Sequence, residues 1–551
     1  MAYLLFPGRH LLNTSFQESY LWDILRLPVG KLDLVGGGAL NPDEKITDIV
    51  FCVTSVNQFN SRYNPVPFHE RSITLDRFAQ QYQKALGIKY QILGVPHFNP
   101  TEHFAEYTLK EIEEQINHEV ELTPQNTIVL CSTPGLLEQY QKLGFAVLTA
   151  EYDINSKKYI SDTPISVLKE FVELGESWKL NEDFTSKMSK TTKELWESFS
   201  DIPRKILALW RDPLLTESGS LTIDRNYSTY AYDMANESLL DIKYHDIQPA
   251  IVPGKIVDEG CADAALIVRL ARDFGDSDII GIELTTEFLA RCQERLRAGE
   301  FGGTYVHFHQ RNLLDPVFTE NTIDTTICNS TTHELWSYGN REQSLLTYLN
   351  HKYKQTKKGG RIVIRDVVGP EDKDQIVYLW ANKDDGSNED IFKICNSKQE
   401  LKNHLEQHST HGRFLRFAEE YLADMRSSGR RGDETKIIYK EEVINGKDYI
   451  VLKLKDAVEF MTKKDYTDNW NSELNEEFAF WSFSDWKNAM TSAGFHVIEN
   501  PNEKNGVSRT YQSSWIVENR WVGKVALFKK ENDTLLDISY PPTHMVLVGE
   551  K

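Results

Sequence analysis

Short apolar runs separated by amphipathic stretches recur along this chain, and their spacing predicts its elements. In the first part, the apolar runs at 2–6, 45–54 (KITDIVFCVT), 89–95, 127–131 (TIVLC) and 146–150 have strand length. Between them, residues 72–86, 107–116 and 136–143 carry apolar positions at helical spacing. Strand and helix alternate, which predicts an α/β domain on a parallel sheet over residues 1–185. Residues 186–250 read as mostly helical, punctuated by Pro203 and Pro213, and predict a helical connector.

The rhythm restarts in a domain of residues 251–551. Strands are expected at 255–260 (KIVDEG), 278–284 (DIIGIEL), 304–310 (TYVHFHQ), 324–329 (DTTICN) and 359–368 (GGRIVIRDVV). Helical spacing fills 264–274 and 286–296. That order predicts a second doubly wound sheet, so the fold class is α/β with two Rossmann-like domains. Residues from about 370 to 480 break the alternation, are charged and include the basic run SSGRRGDETK. The stretch is too long for a connection and reads as a large mixed α/β cap insertion. GFHVIEN, GKVALFKK and HMVLVGEK supply late strands. No internal repeat or low-complexity tract interrupts the pattern.

Composition narrows the partners. The 551 residues are 40% hydrophobic and 11% aromatic, which excludes a mainly disordered chain. A formal net charge of −20 disfavours DNA coating and anionic membranes. The 6 cysteines include no C-x-x-C pair and read as reduced thiols of a cytoplasmic protein. The N-terminal run MAYLLFPGRH is expected to be a strand, not a signal peptide. The 15 histidines show no metal-ligand spacing, so no metal is expected. Oligomeric state is not legible.

Candidate chemistry sits at the ends of the predicted strands. Asp258-Glu259-Gly260-Cys261-Ala262-Asp263-Ala264 turns the first strand of the second domain into a helix. Small residues there let backbone approach a ligand, and a helix start favours an anionic group. Glu283 ends the next strand, where a carboxylate can accept both hydroxyls of a ribose. Gln310-Arg311-Asn312-Leu313 follows the third strand, and Asn329 closes the fourth. These residues resemble the class I S-adenosylmethionine-dependent methyltransferases. Asp258 takes the acidic place of the family's first motif and Gly260 its first glycine, while Ala262 and Ala264 replace the later two. The resemblance implies S-adenosylmethionine as cofactor, with its ribose on Glu283 and its adenine against Asn312 and Leu313. It implies that the sulfonium end and the acceptor meet near Asn329. An amine or hydroxyl acceptor must lose a proton, and His333 or Glu334, just beyond, can take it. The other reading is that His333 caps its helix or bonds a backbone carbonyl. Arg365 and Asp366, which end the fifth strand, read as a structural ion pair or, alternatively, as groups that touch the acceptor. Tyr227, Tyr230 and Tyr232 precede the first strand, where side chains can cover the donor or build core.

The first domain places Gly8-Arg9 after its first strand, followed by Thr14-Ser15-Phe16-Gln17. Asn64 to Arg71 (NPVPFHER) follows the second strand, Thr133 opens a helix, and Ser161 and Thr163 open another. Helix starts of this kind can hold phosphate. In order and spacing these segments resemble the nicotinamide-nucleotide adenylyltransferases of the nucleotidyltransferase superfamily. Gly8, Arg9, Thr14, Gln17, Asn64, Arg71, Thr133, Ser161 and Thr163 are the nucleotide-binding positions the resemblance implies. Phe16 and Gln17 replace the signature glycine and second histidine, and Ser166 replaces the final arginine. Those departures remove charge that would stabilise a transferring phosphate, so the domain is expected to bind a nucleotide without turning it over.

The expected activity is methyl transfer to a small-molecule or nucleotide-derived acceptor. A bifunctional nucleotidyltransferase/methyltransferase and an RNA-modifying methyltransferase are the alternatives.

Overall fold

The structure is a computed structural model that describes residues 2–37, 40–58, 61–97, 101–212, 237–499, 510–513, 520–532 and 534–551. The chain divides into two units, residues 1–220 and 221–551.

Alternating side chains on buried strands organise the first unit. Its strands are β1 (Ala2–Gly8), β2 (Val35–Gly36), β3 (Ile46–Thr54), β4 (Lys89–Val95), β5 (Thr127–Leu130) and β6 (Ala146–Leu148). They form one sheet in the order β2-β6-β5-β1-β3-β4, parallel except where β2 joins. On β3, Ile49, Phe51 and Val53 enter one core cluster and Val50 and Cys52 the other. Both faces are therefore covered, as a parallel sheet requires. A small hairpin of β7 (Tyr152–Asp153) and β8 (Lys158–Tyr159) follows.

Helices Lys190–Ser198 and Asp201–Arg211 fall in the stretch read from sequence as a connector. Their apolar faces place Leu195, Trp196, Ile202 and Ile206 in one cluster with Phe171, Trp178 and Phe184. The first unit thus continues past residue 185, because these amphipathic helices have apolar sides that only its core covers. Residues 213–236 of the expected connector lie outside the described residues.

In the second unit the strands are β9 (Lys255–Glu259), β10 (Asp278–Glu283), β11 (Tyr305–Gln310), β12 (Ile323–Asn329), β13 (Thr356–Val367), β14 (Ile376–Ala381), β15 (Lys440–Ile444), β16 (Lys447–Lys453), β17 (His496–Val497), β18 (Tyr511–Ser513), β19 (Val525–Glu531), β20 (Thr534–Ile538) and β21 (His544–Glu550). The main sheet runs β11-β10-β9-β12-β13-β21-β17, with β18 paired to β21. β9 to β13 are mutually parallel, and β21 enters antiparallel between β13 and β17. The strand order reverses between β9 and β12. The connections there leave on opposite sides and open a crevice at the C-terminal ends, the place where doubly wound sheets bind ligands.

Residues after β13 build a second, antiparallel sheet in the order β15-β16-β14-β19-β20. Helices Lys398–Gln407, Thr410–Glu420 and Leu454–Lys463 cover one face through Leu405, Phe414, Phe417, Phe460, Leu379 and Leu452. β19 comes from the late GKVALFKK segment and pairs with β14, not with the main sheet. Val525 and Leu527 on it complete the apolar face that those helices cover. No helix among the described residues is long and apolar enough to cross a membrane.

Candidate functional site

The crevice begins where β9 ends. Gly260, Ala262 and Ala264 all have positive φ (+72°, +46° and +65°), so the turn alternates through left-handed backbone. The alanines hold conformations that glycine adopts without cost. A Cβ at Gly260 would lie 2.6 Å from Thr331 Cγ2 and closer still to Thr331 Oγ1. Gly260 is required by its neighbour on the β12 side as much as by any ligand. The turn is held from behind: Cys292 Sγ donates to Ala262 O (3.0 Å) and Arg295 Nη2 to Asp263 Oδ2 (2.7 Å).

Two carboxylates face this turn. Asp258 is buried and its Oδ2 has no hydrogen-bond partner among the described residues. Burial, with Glu259 and Glu283 nearby, pushes its carboxyl up to about 7. Glu283 Oε2 accepts from Ala262 N–H (3.0 Å), and Oε1 accepts from Leu284 and Thr285 N–H (2.8 Å each). Glu283 therefore bridges the first turn to the end of β10. Burial raises it to about 7 despite those donors, with Glu334 adding to the rise. Glu259, between them in sequence, points the other way. It pairs with Lys352 and accepts from Tyr348 Oη (2.6 Å) beneath the sheet.

Past β11, Arg311 N–H donates to Glu283 O (3.1 Å), tying the third strand's end to the second. Asn312 Oδ1 accepts from Leu314 N–H (3.0 Å) and shapes that turn. Leu313 is buried in the core cluster that contains Val257 and Ile282. Gln310 Nε2 donates to Leu284 O (2.8 Å), while its Oε1 is buried without a partner.

At the end of β12, Asn329 is buried and Ser330 has φ +56°. Asp366, on β13, organises the turn into the next helix. Its Oδ2 accepts from Thr331 N–H (3.0 Å), Thr332 N–H and Thr332 Oγ1 (2.6 Å each). Its Oδ1 lies 2.7 Å from His333 Nδ1. The other ring nitrogen, Nε2, lies 3.3 Å from Glu476 Oε2, and all three side chains are at most 10% exposed. Burial alone would lower His333, but the two carboxylates hold it well above its ordinary value. Asp366 is likewise held well below the carboxylate range, against its burial, by His333 and Thr332.

The structure sets His333 between two carboxylates, which favour its protonated form, and in that form neither ring nitrogen has a lone pair to accept a proton. The N–H groups at the start of its helix are capped by Asp366. Arg365 and Asp366 do not pair, because adjacent residues of a strand point to opposite faces. Arg365 bonds Asp246 (2.8 Å) instead. Glu334 is half-buried and close enough to Glu283 to influence it, and of the two candidate bases it keeps that possibility.

Sequence reasoning missed Glu476. The only signal was an acidic pair, Glu476-Glu477, inside an aromatic run. Its companions are structural: Phe478, Phe480, Trp481 and Trp486 pack into the main core cluster, with Trp336 stacked on Phe480 at 4.7 Å. The SSGRRGD loop makes specific contacts with the core. Arg431 is half-buried with its side chain largely covered, pairs with Glu477 (3.1 Å) and donates to Trp336 O and Ser337 O at a helix end. Tyr227, Tyr230 and Tyr232 lie outside the described residues.

In the first unit, Gly8, Arg9, Gln17, Thr133 and Thr163 line one cavity of about 360 Å³. Phe6, Leu11, Tyr20, Leu130 and Ile165 supply apolar walls, and Glu151 a carboxylate. Thr14 caps the helix whose Gln17 lines the cavity, and Gln17 Nε2 donates to Glu151 Oε1 (2.8 Å). Asn64 and Arg71 are not in the lining. Arg71 is fully buried and donates to Arg9 O (2.7 Å) and Thr54 O (2.9 Å); Asn64 Nδ2 donates to Ser55 O (2.8 Å). They staple loops because backbone carbonyls buried there need donors. Ser161 Oγ is buried without a partner and also lies off the lining, while Ser166 closes a capping box with Thr163. No cluster of three or more metal-ligating side chains occurs among the described residues.

Residues 253–441 match the family described as "Methyltransferase domain". No curated protein matched the chain. Among solved structures, an S-adenosylmethionine-dependent methyltransferase from Clostridium acetobutylicum is 10% identical over 59% of this chain and 99% of its own, with a TM-score of 0.28. The YcgJ protein of Bacillus subtilis is 12% identical over 57% and 99%, with a TM-score of 0.25. Geranyl diphosphate C-methyltransferase from Streptomyces coelicolor is 12% identical over 61% and 88%, with a TM-score of 0.24. The family match falls on the unit that holds the Asp258–Gly260 turn and the Glu283 carboxylate, and over residues 253–441 this chain is similar to methyltransferase domains.

Proposed function

We propose that the chain transfers the methyl group of S-adenosylmethionine to a small-molecule or nucleotide-derived acceptor. The observation that carries this reading is the pair of buried carboxylates, Asp258 and Glu283, around a left-handed small-residue turn at the strand-order reversal. The chemistry of the donor fits them. Its ribose hydroxyls and ammonium are hydrogen-bond donors, and Asp258 Oδ2 is a buried acceptor without one. Glu283 retains acceptor capacity beyond the backbone bonds it makes. In this reading Glu283 takes the ribose, and Asp258 with the Gly260–Ala262 backbone takes the methionine end. Asn312 and Leu313 border the adenine, and Asn329 borders the sulfonium. When bound, the donor supplies an activated methyl group, so the protein's main task is to align attack and exclude water. Glu334, beside the donor carboxylate, is the group placed to accept a proton from the acceptor.

The first unit fits a nucleotide-binding role without turnover. Gln17, where a cationic side chain would serve transfer, is spent on Glu151. The reduced thiols support a cytoplasmic setting.

Titration calorimetry with S-adenosylmethionine tests the main reading, with micromolar binding expected and at least a tenfold loss in Glu283→Ala. Absence of binding, or unchanged binding in the variant, refutes it. Labelled donor with a cell extract then identifies the acceptor by mass. Pyrophosphate release from ATP and a mononucleotide would overturn the non-catalytic reading of the first unit.

A further inference from the structure

A continuous chain of contacts joins the cap to the donor turn. It starts at Glu476, in the segment that leads from the cap back to the main sheet. Glu476 Oε1 accepts from Tyr338 Oη (2.9 Å), and Oε2 faces His333 Nε2 (3.3 Å). His333 passes the contact to Asp366 Oδ1 (2.7 Å). Asp366 Oδ2 in turn fixes the backbone of Thr331 and Thr332. Thr331 packs directly on Gly260, the glycine of the donor turn. Glu476, His333 and Asp366 are buried, and the polar links among them span 2.7–3.3 Å.

Glu476 is itself held rigidly. Lys463 Nζ donates to Glu476 O (2.8 Å), and Glu459 Oε1 accepts from Phe478 and Ala479 N–H (2.8 and 2.7 Å). The neighbouring Glu477 has a different task. Its side chain pairs with Arg431, Arg341 and Lys455 and has no direct contact with His333 or Asp366; only its backbone N–H reaches that helix, at Ser337 Oγ (2.8 Å). Two adjacent acidic residues therefore divide the work, one anchoring the segment and the other addressing the donor site.

We propose that Glu476 is a positioning residue for methyl transfer: it orients the imidazolium of His333, which through Asp366 sets the 330–333 turn against Gly260. Seating of the cap segment and closure of the donor site are thereby one event. A buried carboxylate facing a buried imidazolium is a charge-assisted contact, and removing one side propagates because the remaining links are bonded in series.

The inference rests on the methyl-donor reading, and one experiment separates the two. S-adenosylmethionine affinity is measured by calorimetry on the full chain for the wild type, Glu476→Gln and Glu477→Gln, alongside thermal midpoints. Coupling of this kind is worth roughly five- to 150-fold. Glu476→Gln is expected to weaken donor binding about tenfold. Glu477→Gln is expected to lower the thermal midpoint while leaving donor affinity within about twofold. Equal weakening by both variants, or an unchanged affinity in Glu476→Gln, overturns the proposal. If Glu476→Gln does not fold, Tyr338→Phe removes only the hydroxyl that steadies the carboxylate. A rise of about threefold in Kd is then expected, and no change overturns the proposal. A wild-type chain that fails to bind the donor would instead refute the functional reading itself.

Discussion

Gly260→Ala is the sharpest probe of the donor turn. The substitution adds one methyl group at φ +72°, where an L side chain costs roughly 1–2 kcal/mol. The same methyl would meet Thr331, whose Cγ2 and Cβ stand 2.6 and 3.0 Å away. Thr331 cannot retreat freely, because its N–H is bonded to Asp366 (3.0 Å) and its Oγ1 to Asn329 O (3.2 Å). Overpacking of this kind typically costs about 1–3 kcal/mol. A stiffer unfolded chain returns about 0.4–1 kcal/mol. The net expectation is a loss of about 1–4.6 kcal/mol in the second unit. Thermal unfolding with and without S-adenosylmethionine identifies that unit's transition as the one the ligand shifts. Adding Thr331→Gly to Gly260→Ala should recover the steric part but not the dihedral part. A single variant within about 0.5 kcal/mol of wild type, or a double variant that recovers nothing, would refute the reasoning.

Two further outcomes arise from the buried charges. Lys352→Met strands Glu259 beneath the sheet and should cost about 3–5 kcal/mol, whereas Lys352→Met with Glu259→Leu should return close to wild-type stability; denaturant unfolding compares them. Asp258 and Glu283 both sit near 7 in the folded protein, above their ordinary 3.8 and 4.5. The folded state then holds protons that the unfolded state has released, so stability is full below the ordinary values and falls as pH rises toward 7. Thermal midpoints of the ligand-free protein should drop between about pH 5 and 7.5, and Glu283→Gln should flatten that drop. An unchanged slope in the variant would count against the assignment.

The turn at 260–264 was legible because its determinants are local. An acid, a glycine and two alanines at alternate positions after a β-branched strand predict a tight turn into a helix, and the backbone makes one at 260–264. The place of Glu283 beside that turn was legible because it ends the next strand of the same βαβ unit. His333 was picked out for the same reason, but its surroundings were not legible. Its partners are 33 and 143 positions further along, and their carboxylates raise its pKa only once the chain brings them together. Asn64 and Arg71 matched a motif in spacing, but the donors Asn64 Nδ2 and Arg71 Nη1 go to buried carbonyls.

Sequence by itself determined the period of each element, the parallel α/β order and the small-residue turn. These depend on steric limits of the backbone and on apolar spacing, which neighbouring residues carry. Tertiary structure alone decided which charges are paired. It set Glu259 on Lys352, Arg431 on Glu477 and His333 between Asp366 and Glu476. It also decided that Lys190–Ser198 and Asp201–Arg211 complete the first unit's core, and that β19 closes the cap sheet. Protonation, pairing and the covering of an apolar face depend on what lies across space, and that is fixed only when distant segments meet.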